Sequence, residues 1–330
     1  MRALLSRAPG PAETLQLADV PEPIPGPGEV RLVVQACALN YPDVLIIEDR
    51  YQVRPLRPFA PGAEVAGVVD AVGEGVAWPQ AGDRVIAMPG HGGLAEKLVL
   101  AADRCVAIPG MARPDEAAAL LMTFGTGLYA LKDRARLRRG ERILVLGAGG
   151  GVGLAAVQLG RAMGAEVIAA VSSEAKAEEA RAAGAGHVVI YPRGPFDREG
   201  RKALSAQFKQ ACPQGVEVIF DPVGGDYAEA ALRSLARAGR FLVVGFTAGI
   251  PQMPLNLVLL KSCQVIGVAW GAVAREEPEV FQRLAREVVE LHADGRIRPA
   301  ISERIPLEGA PHAIARLAAR QGLGKIVVVF

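Results

Sequence analysis

Residues 143–164 constrain the fold of this chain more than any other stretch. An apolar run, Ile143-Leu-Val-Leu146, has strand character. Small residues follow, Gly147-Ala-Gly-Gly-Gly-Val-Gly153, and an apolar helical pattern then continues without a breaker to Gly164. Strand, glycine turn and helix, in that order, make a dinucleotide-binding βαβ unit. Small residues let the backbone approach a pyrophosphate. The helix start supplies unpaired N–H groups and the positive end of a dipole. The G-x-G-x-x-G spacing falls on Ala148, Gly150 and Gly153, and alanine is compact enough for the first position. Gly151 and Val152 complete the helix start. Taken alone, such a turn serves a tight chain reversal equally well, so the flanking pattern has to decide.

From Glu141 onward, strands alternate with helices, which signals a parallel sheet. The predicted strands are 143–146, 166–171, 187–191, 216–220, 240–244 and 264–270. Six of them fill a doubly wound domain. Earlier in the chain the pattern is β-rich. Strand-like stretches at 29–38, 64–72, 83–88 and 94–100 are separated by glycine turns, as in a compact β-barrel. A helix is expected over 114–122, and Thr123-Phe-Gly-Thr-Gly127 marks the junction. After an amphipathic helix at 276–293, segments 300–305 and 325–330 read as strands returning to the first domain. The expected class is therefore α/β, with a Rossmann cofactor domain at 125–270. A barrel domain is built from both chain ends, 1–124 and 271–330.

Composition narrows the function. The chain has 330 residues, enough for two cores, with 51% hydrophobic and 22% charged side chains, which excludes disorder. A net charge of +2 does not argue for a nucleic-acid partner. No apolar run reaches membrane-spanning length, and the N-terminus lacks the apolar core of a signal peptide. Cys37, Cys105, Cys212 and Cys263 show no C-x-x-C spacing, so a cytoplasmic protein without disulfides is expected.

The second predicted strand ends Ala169-Ala-Val-Ser-Ser-Glu174. An NAD site needs an Asp or Glu at that strand end for the ribose 2′-OH. Val171 and Ser172 stand there instead, and Glu174 reads as a helix-start acid. Without the carboxylate, a 2′-phosphate meets no repulsion. Ser172 and Ser173 offer hydroxyls, Lys176 offers a charge, and Tyr191 is placed to cover the adenine-ribose end. This favours NADPH. The same serines also serve as helix caps, and a solvated Lys176 is the other reading of that residue.

Several motifs extend along the whole chain: Ala38-Leu-Asn-Tyr-Pro-Asp43, Pro61-Gly-Ala-Glu-Val-Ala-Gly67, Gly92-Gly-Leu-Ala-Glu96, Phe124-Gly-Thr126, Gly150-Gly-Val-Gly153, Asp221-Pro-Val-Gly-Gly225 and Gly245-Phe246. In order and spacing the chain resembles the medium-chain dehydrogenase/reductase superfamily, in its zinc-free quinone oxidoreductase branch. The resemblance implies a GroES-like catalytic domain beside the Rossmann domain. Zinc alcohol dehydrogenases of the superfamily bind the catalytic metal with a Cys and a G-H-E motif. Asn40 stands at that Cys position and Ala63 at that His position. Asn and Ala cannot rebuild a thiolate/imidazole site, and the structural-zinc lobe is absent, so no metal is expected.

The resemblance implies further site residues. Asn40 matches the asparagine that faces nicotinamide and substrate. Tyr51 offers a phenol at the cleft mouth, and Thr126 lies near the nicotinamide. Gly245 and Phe246 end the fifth strand on the cofactor side, and Arg320 and Lys325 are placed to contact cofactor phosphates. Trp270 is expected to wall the substrate pocket at the end of the sixth strand, which in this superfamily pairs across a homodimer.

Without a Lewis acid, alcohol oxidation is a poor fit. A quinone or a conjugated enone accepts hydride directly, and hydrogen-bond donors can meet its developing oxyanion. The leading expectation is an NADPH:quinone oxidoreductase. An enone or 2-enoyl thioester reductase, with Arg50, Arg54 and Arg57 toward carrier phosphates, is the second. An NADPH-binding protein with little catalysis is the third.

Overall fold

The computed structural model describes residues 1–330. The chain forms two compact units, residues 1–122 with 271–330 and residues 123–270. No helix is long and apolar enough to cross a membrane.

In the first unit, β1 (Arg2–Leu5) pairs antiparallel with β2 (Gln16–Asp19). The spine is β3 (Glu29–Ala38), whose alternating Val30, Leu32 and Val34 point into the core. After it, Asn40 holds an extended backbone, and α1 (Tyr41–Ile47) begins with proline in its first turn. The strands β4 (Glu64–Val72), β5 (Arg84–Ala87), β6 (Lys97–Ala101) and β7 (Cys105–Ala107) follow, then α2 (Pro114–Ala118). Both β4 and β6 pair antiparallel with β3.

The second unit opens with a wide-turned helical stretch containing α3 (Thr126–Leu128). Next come β8 (Arg142–Leu146), α4 (Gly151–Ala162), β9 (Glu166–Val171), α5 (Glu174–Ala182), β10 (His187–Ile190) and α6 (Arg198–Ala211). The second half runs β11 (Val216–Asp221), α7 (Asp226–Ser234), β12 (Leu235–Val243), α8 (Leu255–Lys261) and β13 (Gln264–Gly267). All six strands are parallel, in the order β10-β9-β8-β11-β12-β13. This is the doubly wound Rossmann order, with the switch point between β8 and β11. Phe208, Phe220 and Phe241 are completely enclosed in this unit. Burying each contributes about 2–3 kcal/mol.

The sixth strand is shorter than its sequence pattern suggests. It ends at Gly267, and Trp270 opens α9 (Trp270–Glu276). The Trp270 indole is 2% exposed and stacks at 6.0 Å on Tyr129. It occupies the space a side chain on Gly125 would need, 2.6 Å from an ideal Cβ there. Enclosing a large aromatic beside a glycine outweighs extending an edge strand.

The chain then returns through α10 (Pro278–Ala293), β14 (Ile301–Ile305), α11 (Ala310–Ala318) and β15 (Lys325–Val329). Within the first unit, β15 pairs antiparallel with β3, and β14 pairs parallel with β15. Strands from both chain ends therefore build one GroES-like sheet.

Candidate active site

The second unit carries its glycine-rich turn at the switch point, between β8 and α4. Gly150 is extended and caps α4 without any side-chain bond. The first-turn N–H groups of α4 are thus left for an anion. An ideal Cβ on Gly153 would lie 2.2 Å from the Gly147 carbonyl oxygen, so only glycine lets helix and loop meet. A Cβ on Gly149 would lie 2.6 Å from Lys176 Cβ and Cγ. The aliphatic stem of Lys176 therefore lies directly over the turn.

Lys176 brings its ammonium there from the first turn of α5. Ser173 caps that helix and accepts a long, 3.4 Å bond from the Lys176 backbone N–H. Burial lowers the Lys176 pKa, and the nearby Arg193 guanidinium lowers it further. Two cations thus converge on one edge of the turn. Ser172 is half-buried beside them. Val171 closes the strand end, and the helix-start acid Glu174 pairs with Arg181 at 2.8 Å. Sequence reading missed Arg193, which is exposed three residues beyond β10. Its position after a strand end on the cofactor side was the available signal.

Tyr191 departs from its expected role. It is 5% exposed, with its ring against Tyr227 at 5.0 Å and Phe208 at 6.2 Å. Burial pushes the phenol pKa up, and the nearby Gly147 backbone works against that rise. Tyr191 packs inside the unit and offers no open face to a ribose.

The loops after β11 and β12 complete the rim. Asp221 accepts the Val223 and Gly224 N–H groups, both at 2.8 Å, and burial raises its carboxyl to about 6 in spite of them. An ideal Cβ on Gly147 would stand 2.8 Å from the Val223 side chain. The Gly245 N–H reaches the Asp221 carbonyl at 3.3 Å, and Phe246 is 45% exposed beside it. The structure therefore brings Ala148, Gly150, Gly151, Val152, Gly153, Gly245 and Phe246 to one end of the sheet. Thr126, 8% exposed, belongs to this unit as well.

The first unit holds a different arrangement. Asn40, Asp43, Glu64 and Lys325 are all buried. Asn40 Nδ2 donates to the Ala38 carbonyl at 3.0 Å and to Glu64 Oε1 at 2.9 Å. Lys325 Nζ donates to Asn40 Oδ1 at 2.6 Å, to Glu64 Oε1 at 2.8 Å and to the Leu39 carbonyl at 2.9 Å. Glu64 Oε2 accepts the Met122 N–H at 2.8 Å. Asp43 accepts the Asn40 and Gly62 N–H groups at 2.8 and 2.9 Å. Burial, the larger effect, raises the Asp43 carboxyl to about 6 against those two bonds.

Two expectations change here. Lys325 does not reach toward cofactor phosphates, because it is 4% exposed and all three ammonium protons are taken inside the unit. Asn40 keeps no free amide proton for a substrate, because Nδ2 is bonded twice within the unit.

Two family models match: an alcohol dehydrogenase GroES-like domain over residues 26–110 and a zinc-binding dehydrogenase domain over residues 151–287. Quinone oxidoreductase-like protein 2 of Bos taurus is 37% identical over 310 residues, covering 93% of this chain and 86% of that protein. Its homolog in Nematostella vectensis is 34% identical over 92% of this chain and 82% of that protein. Among solved structures, the Escherichia coli quinone oxidoreductase complexed with NADPH matches at TM-score 0.89 and 28% identity, each chain fully covered. A mycobacterial protein complexed with NADPH matches at TM-score 0.91 and 29% identity, again over both whole chains. The chain belongs to the quinone oxidoreductase branch of the medium-chain dehydrogenase/reductase superfamily.

A dehydrogenase of this superfamily implies a nicotinamide dinucleotide, and the glycine turn fits one, since Gly150 leaves the first turn of α4 without a side-chain cap and Gly153 lets the helix meet the loop. The superfamily also includes zinc enzymes, and zinc does not fit this donor set. Ala63 presents a methyl group, and the Asn40 amide oxygen and Glu64 Oε1 already hold an ammonium. No three His, Cys, Asp or Glu side chains converge at metal-binding spacing.

In this oxidoreductase the Tyr51 hydroxyl lies 3.4 Å from an ideal Cβ on Gly271, close to the Arg275 guanidinium. Burial raises the phenol pKa, and Arg275 works against that rise. Arg275 carried no motif and was missed by sequence reading. Trp270, expected to wall the pocket, is packed inside against Gly125 and Tyr129. Arg320 is exposed in a left-handed turn (φ 57°) after α11.

Proposed function

We propose that the protein is an NADPH-dependent, zinc-independent reductase of quinones. One observation carries the cofactor choice. Lys176 lies over Gly149 with Arg193 beside it, and no carboxylate closes β9. A 2′-phosphate at that strand end would meet the Lys176 ammonium and no opposing carboxylate. The first-turn N–H groups of α4 would hold the pyrophosphate, with Gly245 and Phe246 along the rim. When bound, NADPH supplies the hydride.

The chain's own residues then bind, orient and exclude water. The loop after β11 is fixed by Asp221, which accepts the Val223 and Gly224 N–H groups before any ligand arrives. Tyr51 is the candidate donor to an oxyanion, because its hydroxyl makes no bond within the protein and its phenol stays protonated at neutral pH. Thr126 is the second candidate donor. A quinone suits a site whose buried cation is already saturated, since its reduction needs no Lewis acid. The names of the relatives support the same acceptor class. An enone or enoyl-thioester reductase is the second reading. Arg50 and Arg57 are paired with Glu48 and Asp49, which leaves Arg54 as the unpaired cation for a carrier phosphate.

Steady-state assays with NADPH against 1,4-benzoquinone, 9,10-phenanthrenequinone and crotonyl-CoA test this. Faster turnover of a quinone supports it. Preference for crotonyl-CoA selects the second reading, and tight NADPH binding without turnover selects a binding protein. We further propose a homodimer through β13. That edge strand carries exposed Val265, and exposed Leu255, Leu259 and Leu260 lie on the preceding α8. Sedimentation of the wild type against Val265→Asp tests that partner.

A further inference from the structure

We propose that Lys325 is the resident cation of the first unit's site, a positioning residue whose ammonium holds the Asn40 amide and the Glu64 carboxylate in one fixed arrangement. The proposal rests on the zinc-independent reading above. It gives that reading a mechanism for keeping the vacated ligand positions ordered without a metal.

The geometry is closed on every side. Lys325 Nζ has three protons and three oxygen partners, Leu39 O at 2.9 Å, Asn40 Oδ1 at 2.6 Å and Glu64 Oε1 at 2.8 Å. Glu64 is 1% exposed and Lys325 4%. The Lys325 backbone is itself fixed, since its N–H donates to the Ala300 carbonyl at 2.7 Å and its carbonyl accepts from Ser302 Oγ at 3.1 Å. The lysine stem is therefore delivered from a rigid strand.

The bond pattern determines how Asn40 faces. An ammonium can only donate, so the atom turned toward Lys325 must be the amide oxygen. Nδ2 then faces Glu64 and Ala38. With an apolar residue at Lys325, nothing would distinguish the two amide orientations on that side, and Glu64 would be a buried charge without its cation. A buried ion pair is rarely retained for stability alone, because well-packed apolar side chains of similar volume are as stable or more so. Its placement beside Asn40, at the N-terminus of α1, points to geometry as the reason for it. The contact joins residues 285 positions apart, so the last strand of the chain sets the side chain that follows the spine strand β3.

The experiment compares wild type with Lys325→Ala, Lys325→Met and the double variant Glu64→Gln/Lys325→Met. The first readout is the Asn40 side-chain amide signal in 15N-correlated NMR, assigned by its loss in Asn40→Ala and independent of turnover. In wild type it should be strongly protected from solvent exchange. In Lys325→Ala that protection should be lost, and added n-propylamine, which replaces the missing chain and charge, should restore it while n-propanol should not. The second readout is kcat for NADPH-driven quinone reduction, expected to fall about a hundredfold in Lys325→Ala and to recover with propylamine. The double variant removes both buried charges, so it stays folded even where the single variants do not. Low kcat at wild-type melting temperature in that variant supports positioning.

An unchanged Asn40 signal in Lys325→Ala, equal rescue by propanol, or full turnover by the double variant would each overturn the proposal. Failure of the underlying reading looks different. Stoichiometric zinc in purified wild type, with activity lost to a chelator, removes zinc independence whatever the Lys325 variants do.

Discussion

Two lysines serve opposite purposes in the two units. Lys325 sits in the first unit with every ammonium proton bonded to a protein oxygen. Lys176 sits in the second, half-buried over a glycine turn, with another cation rather than an acid for its neighbour. The first is a saturated charge and acts on the protein's own side chains. The second is the charge that the proposed reading assigns to the cofactor phosphate. Burial alone does not separate structural from binding lysines. What separates them is whether nearby acceptors already use the donors.

The largest effect expected from breaking this contrast is at the saturated end. Lys325→Met leaves Glu64 buried and uncompensated, and should destabilise folding by about 3–5 kcal/mol in urea unfolding. A loss below about 1 kcal/mol would show that the pair is not the closed network described. Next, Gly153→Val forces a side chain into a 2.2 Å gap at the glycine turn. NADPH affinity, measured by calorimetry, should fall by about 3 kcal/mol or more while the first unit is unaffected. An unchanged affinity would place the cofactor elsewhere.

At the unsaturated end, Lys176→Ala should weaken NADPH by about 1.5–3 kcal/mol and NADH by much less. The same comparison on Arg193→Ala sharpens the contrast, because Arg193 lies close enough to Lys176 to shift its pKa. Equal losses for both cofactors would remove these cations from the 2′-phosphate site.

The smallest effect concerns pH. The folded Asp221 carboxyl is raised to about 6, above the unfolded value near 4. Between those values the folded state holds a proton that the unfolded chain has released, so stability falls as pH rises through this window. Asp221→Asn should flatten that part of the profile and gain most relative to wild type above about pH 6. Asp43, also raised to about 6, keeps part of the slope, so a profile left wholly unchanged would contradict the assignment to Asp221.

Much of the molecule was legible beforehand, for local reasons. The alternation of strands and helices around the glycine turn, the absent acid at the end of β9, and Asn40 and Ala63 at the family's metal positions all lie in short windows. Trp270 was misread because a run of strand-like residues carries no sign of a glycine waiting at Gly125, far back in sequence, to receive the indole. Tyr191 was misread because its strand-end position does not reveal which way a phenol turns. Arg275 had no motif at all, and only its fold neighbours give it a place near Tyr51.

The sequence by itself determined the order of the elements and the place of the glycine turn between strand and helix, since periodicity, glycine spacing and residue identity act over a few positions. Only the tertiary structure decided how the polar residues are used. Lys325 and Asn40 are far apart in the chain, and their bond exists because β15 pairs with β3 and delivers the ammonium to that point. Whether a charge is saturated or available depends on which acceptors the fold brings within about 3 Å of it. No local pattern encodes that distance.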